Sequence, residues 1–485
     1  MSIRKLEPQA LWNHFADLNA VPRPSKKEER VIEFMMNFGK SLGLETIQDH
    51  IGNVVIKKPA TPGMEDRQTV VMQSHLDMVH QKNNDTVFDF DTQGIDMLID
   101  GDWVKANGTT LGADNGIGVA AIMAVFASKD IPHPALEAMF TIDEETGMTG
   151  AIQIDPKNFE GTILLNLDTE DDDELSIGCA GGIDTNTSYD YKQIDTDKDA
   201  VAYEVKIKGL LGGHSGMDID TGRGNANKLM NRVIYNALSL MDIRVHSIDG
   251  GSLRNAIARE STAVLVVPQA DKKQFETNMT AFSSVLKTEL ETVEKGLIIE
   301  FKATELPAKV ASPEDTKKIV NALYAVPNGV FRMSPDMEDL VETSSSLARV
   351  ILKDGEFITQ SLQRSSVEST KDDVANSVRA AFENMGAAVV QGGDYPGWKP
   401  NTDSAILNIM AELYRKNFKE EPQIKACHAG LECGILGKHF PQMDMISFGP
   451  NIRAAHSPDE KVQISSVQKF WKYLLEVLTL IPAKN

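Results

Sequence analysis

Cysteine is scarce in this chain. Cys179, Cys427 and Cys433 are its only thiols in 485 residues, and no two are spaced Cys-x-x-Cys. That excludes a disulfide framework and a zinc knuckle, and it fits a reducing compartment. Long apolar runs are missing too: no stretch is long enough to cross a bilayer. The opening Met1-Ser2-Ile3-Arg4-Lys5-Leu6-Glu7-Pro8 lacks the apolar centre of a signal peptide. The expected location is therefore the cytoplasm, with no membrane partner. Positive charge is in deficit, with 49 Lys and Arg against 70 Asp and Glu, a formal net charge of −21. Such a balance argues against a nucleic-acid partner, because binding phosphate requires basic surface that displaces counterions. Solubility is the simpler consequence of the charge.

What is present is organised around Gln73-Ser74-His75-Leu76-Asp77-Met78-Val79. It follows Thr69-Val70-Val71-Met72, a β-branched apolar run that reads as a buried strand. His75 and Asp77 share one face in extended chain. A zinc-binding imidazole usually gives its other N–H to a carboxylate, carbonyl or water, so His-x-Asp can supply a ligand and the group that orients it. Upstream, Ser25-Lys26-Lys27-Glu28 reads as a capping box for a helix that Gly43 ends, and Asn53–Lys57 as a strand. The chain is too long for one core, so two or three domains are expected.

Three more landmarks follow within a hundred residues. Thr110-Leu111-Gly112-Ala113-Asp114-Asn115-Gly116-Ile117-Gly118 precedes the alanine-rich run Val119–Ala127, which reads as a buried helix. Asp114 at its entrance is either an N-cap or a ligand. Ala138–Ile142 is a strand that ends in Asp143-Glu144-Glu145, and Thr162–Leu167 is one that ends in Asp168. The further acids from Glu170 to Glu174 read as a solvated turn, with the binding of a substrate amine as the other possibility. In open α/β sheets, sites form beyond the carboxyl ends of strands. Three strands ending in metal-competent side chains therefore point to one constellation.

From about residue 185 to about 396 the texture changes to alternating antiparallel strands such as Ala202–Ile207, with a helix starting at Ser312-Pro313-Glu314-Asp315 and running through Ala325. This segment is expected to be a separate α+β domain. Its insertion would let His456, which follows the apolar Asp444–Phe448 strand, return to the site. Two histidines and three carboxylates would hold two divalent ions with one carboxylate bridging. Zinc suits that donor set, and cobalt or manganese could substitute.

In order and context, His75-x-Asp77, Asp114, Glu144-Glu145, Asp168 and His456 resemble the site of the two-zinc exopeptidases that include glutamate carboxypeptidase, aminoacylase and the carnosinase-like dipeptidases. Gly108–Gly116, Cys179-Ala180-Gly181-Gly182, His428–Gly434 and His456-Ser457-Pro458-Asp459-Glu460 carry the likeness to the dipeptidases, over most of the chain. The resemblance implies an α/β fold: a catalytic domain (1–184 and 397–485) with a mostly parallel mixed sheet flanked by helices, and an inserted α+β lid and dimerisation domain (185–396). It implies two zinc ions. Asp114 would bridge them, His75 and Asp168 would complete one, and Glu145 and His456 the other. Asp77 would orient His75, and Glu144 would be the general base for the bridging water. In the lid, His214 of Gly212-Gly213-His214-Ser215-Gly216 would support the oxyanion. Asn255 and Arg364 would bind substrate, Arg364 through its free carboxylate. One departure is that Ala258 stands where the family often has proline. The implied activity is hydrolysis of unblocked dipeptides, Xaa-His among them, by a homodimer paired through the lid. The alternatives are an N-acyl amino-acid deacylase or carboxypeptidase on the same scaffold, or a non-catalytic peptide-binding protein.

Overall fold

A computed structural model describes residues 2–484. The chain forms two compact units: Met1–Gly178 with Pro400–Ala426 and Leu431–Asn485, and Cys179–Lys399 with Cys427–Gly430. The first unit is built on an eight-stranded sheet. Its strands are β1 (Glu45–Gln48), β2 (Val54–Lys58), β3 (Val70–His75), β4 (Leu136–Thr141), β5 (Ile163–Asn166), β6 (Glu174–Cys179), β7 (Gln423–Cys427) and β8 (Asp444–Ser447), in the spatial order β1-β2-β4-β3-β5-β8-β6-β7. The inner four, β4, β3, β5 and β8, are parallel. β1 and β2 on one side and β6 on the other run antiparallel to their neighbours. This is the mixed α/β sheet with a parallel centre that the family resemblance implied. The central strands read as continuous apolar runs because both faces are covered, and every residue of β3, β4 and β5 is buried.

Register then decides where the strands end. His75 pairs with Thr141 across β3 and β4, and Gln73 with Asn166 across β3 and β5. Three neighbouring strands therefore finish at one edge of the sheet, and the chain continues from them into Asp77, the Asp143–Glu145 turn and Asp168.

Three helices bear on that edge: α1 (Glu29–Ser41), α2 (Ala113–Ala127) and α3 (Glu432–His439). α1 does not use the expected capping box. It begins at Glu29 without a side-chain cap, and Ser25 instead donates its hydroxyl to Asp77 Oδ2 at 2.8 Å. A buried carboxylate needing a donor outcompetes the local cap. α1 does end as expected, with Gly43 at φ +70° just beyond Ser41. α2 is buried along nearly its whole length, and small residues let it lie close to the strands. A Cβ at Gly118 would stand 2.4 Å from Ser74 Oγ and 2.6 Å from Leu167 O, so glycine is what admits the helix to the ends of β3 and β5.

The second unit is a nine-stranded antiparallel sheet. In the Ala200–Lys208 strand, Val205 and Ile207 are buried while Glu204, Lys206 and Lys208 are not, the alternation read from sequence. One face packs on the helices Ala226–Leu238, Lys272–Leu290, Pro313–Ala325 and Glu368–Glu383 through a core that includes Val205, Ile234, Phe275, Leu323, Phe357 and Phe382. The Pro313–Ala325 helix has the expected bounds, and Ser312 caps it by accepting from Asp315 N. Among the described residues, no helix is long and apolar enough to cross a membrane.

Candidate metal centre

At the carboxyl edge of the first unit's sheet, His75 Nε2 lies 3.1 Å from Asp114 Oδ1 and 3.6 Å from Asp168 Oδ1. His456 Nε2 lies 3.1 Å from Asp114 Oδ2 and 3.0 Å from Glu145 Oε2. Asp114 thus presents one oxygen to each histidine. Ligand atoms of His75, Asp114 and Asp168 fall within 4.8 Å of one another, as do those of Asp114, Glu145 and His456. A third group, His75 with Glu144 and Glu145, overlaps both. Residues some 380 positions apart in the chain meet here. Asp114 does not act as the N-cap of α2: that position is Gly112, at φ +69°, which has no side chain to offer, and Asp114 and Asn115 interrupt the helix with non-helical backbone angles. A cis peptide joins Asp114 to Asn115.

Asp77 stands behind this group. Its Oδ1 is 3.5 Å from His75 Nδ1, and it accepts the backbone N–H of Glu144 at 3.0 Å on Oδ1 and that of Glu145 at 3.2 Å on Oδ2. His75 Nδ1 also lies 3.2 Å from the Asp77 backbone carbonyl, so Asp77 meets the imidazole with both main chain and side chain while its carboxylate holds the acidic turn. The three acids of that turn divide. Asp143, at φ +59°, turns back to Lys26, Thr146 and Thr149, while Glu144 and Glu145 face the histidines. Glu144 Oε2 is 4.0 Å from His75 Nε2.

The electrostatics are those of anions short of cations. Burial opposes a charged His75, but Asp168, Asp114, Asp77 and Glu144 outweigh it and hold its pKa well above the ordinary imidazole value. Hydrogen bonds to Asp114 and Glu145 push His456 up to about 11. Burial, with neighbouring carboxylates adding to it, raises Glu144 and Asp168 well above the usual range, and His75 offsets only part of that. Asp114 moves down because the hydrogen bonds from His456 and His75 outweigh its burial. Glu145 Oε1 is buried with no hydrogen-bond partner. Clustered, partly orphaned carboxylate oxygens beside two imidazoles fit a pair of divalent ions.

The second unit holds a different cluster. Arg364 is buried, donates from Nη1 to Tyr395 Oη at 2.8 Å, and has its Nη2 3.5 Å from His214 Nε2. Its Nε is buried without a partner. His214 Nδ1 accepts the N–H groups of Gly216 and Met217 at 3.2 and 3.1 Å, while its Nε2 faces the Arg364 guanidinium. Asn255 is exposed; its carbonyl accepts from Ser215 N at 2.8 Å, and a backbone bridge joins His214 to Ala256, next to it. All three residues expected from the sequence are therefore in this unit.

Residues 71–480 match the peptidase family M20/M25/M40. The chain belongs to this family. It is 42% identical, over 489 aligned residues and 99% of each chain, to the cytosol non-specific dipeptidase of Escherichia coli (strain K12). The crystal structure of aminoacylhistidine dipeptidase from Vibrio alginolyticus is also 42% identical, with a TM-score of 0.96 over 100% of this chain and 99% of that one. Aminopeptidase PepT from Bacillus cereus, 15% identical with a TM-score of 0.56 over 98% and 99% of the two chains, shares the fold alone.

Several residues support this candidate metal centre without having been singled out in the sequence. Asn115 donates from Nδ2 to Leu167 O at 2.6 Å and to Asp168 Oδ1, tying the Asp114 turn to the end of β5. Glu432, the first residue of α3, accepts from Gln73 Nε2 at 2.7 Å and Thr141 Oγ1 at 2.8 Å, and Gln73 in turn accepts from Asn166. That buried network links the three strands that lead into the site. Burial pushes Glu432 up to about 7. Polar residues inside otherwise apolar strands, at Gln73 and Asn166, were the signal available in sequence for it. Arg23 and Glu460 act mainly on distant backbone atoms, those of Leu76, Asp77 and Gly112 for Arg23 and of residues 111–114 for Glu460, with Asn19 Oδ1 a nearby partner of Arg23.

Proposed function

We propose that the chain is a two-zinc dipeptidase of the M20/M25/M40 family, hydrolysing the peptide bond of unblocked dipeptides with Xaa-His among them. The observation that carries this reading is the convergence of His75, Asp114 and Asp168 on one side and Asp114, Glu145 and His456 on the other, with ligand atoms in each triple within 4.8 Å. The 42% identity over whole chains to proteins described as a non-specific dipeptidase and an aminoacylhistidine dipeptidase supports the substrate class. His75 and Asp168 would hold one ion, Glu145 and His456 the other, and Asp114 both. The ions would supply Lewis-acid polarisation and a nucleophile available at neutral pH.

The rest is the work of the chain's own groups. Glu144 takes a proton from the attacking water and returns it to the leaving amine, as a general base and then acid. Asp77 keeps His75 oriented and holds the Glu144 and Glu145 amides. His214 donates to the carbonyl oxygen as negative charge develops there. Arg364 pairs with the free carboxylate of the dipeptide through its guanidinium fork, for which its unpartnered Nε is available, and Asn255 contacts the substrate. On this reading residues 185–396 act as a lid and pair two copies into a homodimer, and the enzyme works in the cytoplasm.

One panel tests the proposal: free dipeptides, including Xaa-His, against their N-acetylated forms, with zinc content measured on the same sample. The expected result is two metals per chain and preference for the free amine. Preference for the acetylated forms would replace this reading with a deacylase. Bound metal with no hydrolysis would replace it with a peptide-binding protein.

A further inference from the structure

We infer that Glu460 is a positioning residue for the metal centre, locking the turn that carries Asp114 to the loop that carries His456. The inference rests on the two-metal reading above. Glu460 lies four residues after His456 and is 2% exposed. Its carboxylate accepts four consecutive backbone N–H groups: Leu111 at 2.7 Å and Gly112 at 3.0 Å on Oε2, Ala113 at 2.7 Å and Asp114 at 3.2 Å on Oε1. Those amides lie at the entrance of α2, ahead of the non-helical backbone at Asp114 and Asn115, and they satisfy both oxygens of a buried anion.

The opposite side of the same turn is held by Arg23. This guanidinium is 1% exposed and donates from Nη2 to Gly112 O at 2.5 Å and from Nη1 to Leu76 O and Asp77 O, both at 3.0 Å. Arg23 therefore ties the Asp114 turn to the strand end that bears His75 and Asp77, while Glu460 ties it to the loop that bears His456. His456 itself has φ +63°, in the left-handed region, and its side chain is half-exposed, so little local packing holds its ring. Glu460 supplies that anchoring. A change of half an ångström in the Asp114 turn would move one oxygen toward each histidine or away from it, because the two Asp114 oxygens serve both.

The chemistry of the carboxylate dictates the test. Each oxygen of Glu460 takes two donors. In Glu460→Gln one oxygen becomes an NH2 group facing two N–H donors, so a near-isosteric change breaks half the clasp. Outer residues of this kind are typically worth about 10–100-fold in metal affinity. Metal binding is measured by competition with a chromophoric chelator, using zinc alone, on wild type, Glu460→Gln and the control Glu137→Gln. Glu137 is also buried and also accepts backbone N–H groups, from Glu160 and Gly161, but near the opposite end of β4. The expected result is a loss of about 10–100-fold in zinc affinity for Glu460→Gln, with wild-type affinity for Glu137→Gln. Equal affinity in wild type and Glu460→Gln overturns the inference, and so does an equal loss in both variants. A wild-type chain that binds no zinc overturns the two-metal reading itself. If Glu460→Gln does not fold, hydrogen exchange on the wild-type chain in EDTA decides. Slow exchange at Leu111, Gly112, Ala113 and Asp114 supports the clasp, and exchange at the rate of an open loop refutes it.

Discussion

Replacing Glu144 by glutamine separates chemistry from assembly at this site. The substitution keeps size and shape. It also keeps the tie to Asp77, because the Glu144 group that Asp77 holds is the backbone N–H, at 3.0 Å. Both ligand triples of the two-ion reading, with Asp114 shared, are untouched. Stability should not fall. Burial and the carboxylates of Glu432, Glu145 and Asp114 already oppose ionisation of Glu144, so a neutral side chain relieves rather than adds strain. Catalysis should fall steeply, since a positioned general base is worth about 10²–10⁴ in rate, or roughly 2.7–5.5 kcal/mol of activation free energy. The assay is kcat/KM on a free dipeptide, with zinc stoichiometry and melting temperature from the same preparation. The expectation is two zinc ions per chain, an unchanged or higher Tm, and kcat reduced with little change in KM. Turnover within tenfold of wild type by the metal-loaded variant would remove Glu144 as the base.

Three further outcomes follow from the same geometry. Arg364→Lys should raise KM for free dipeptides about 10–100-fold, the equivalent of roughly 1.4–2.7 kcal/mol, because an ammonium cannot reproduce the fork that reaches both Tyr395 and a carboxylate. Dipeptide amides should lose far less, which steady-state kinetics on the two series will show. Zinc at about a hundredfold excess over its dissociation constant should stabilise the fold by roughly 2.7 kcal/mol per site, and calorimetry with and without EDTA measures it. His428 gives the pH dependence. Burial, with Arg364 and His214 adding, pushes its pKa down to about 3. The unfolded chain takes up this proton below about pH 6.5 and the folded chain does not, so stability is fully present above that pH and declines as pH falls toward 3. From pH 6.5 to 4.5 the loss amounts to roughly 2–3 kcal/mol. His428→Gln should flatten that part of the Tm-against-pH curve, and an unchanged slope would refute the assignment.

How much could be read in advance depended on whether a residue's partner was near in sequence. The strand ends at His75 and Asp168 were legible because apolar runs stop abruptly at metal-competent side chains. The Pro313–Ala325 helix was legible because its Ser cap and its proline sit within one turn. The Ser25 capping box failed for the converse reason. Its local signal was sound, but Asp77, 52 positions away, needed a donor. Asp114 shows the same competition: an acid at a helix entrance reads as a cap, yet two histidines claim its oxygens and Glu460 takes the amides instead.

By itself the sequence determined the classes of element and the inventory of donors, since these follow from local periodicity and side-chain chemistry, while the parallel centre of the sheet came from the family resemblance. Only the tertiary structure decided which carboxylates face one another. It set Asp143 apart from Glu144 and Glu145, gave each Asp114 oxygen its own histidine, and revealed Arg23, Asn115, Glu432 and Glu460 as the frame behind them. The reason is physical. A ligand set is a matter of distances of a few ångströms between residues hundreds of positions apart, and those distances come from strand register and buried hydrogen bonds that no local pattern encodes.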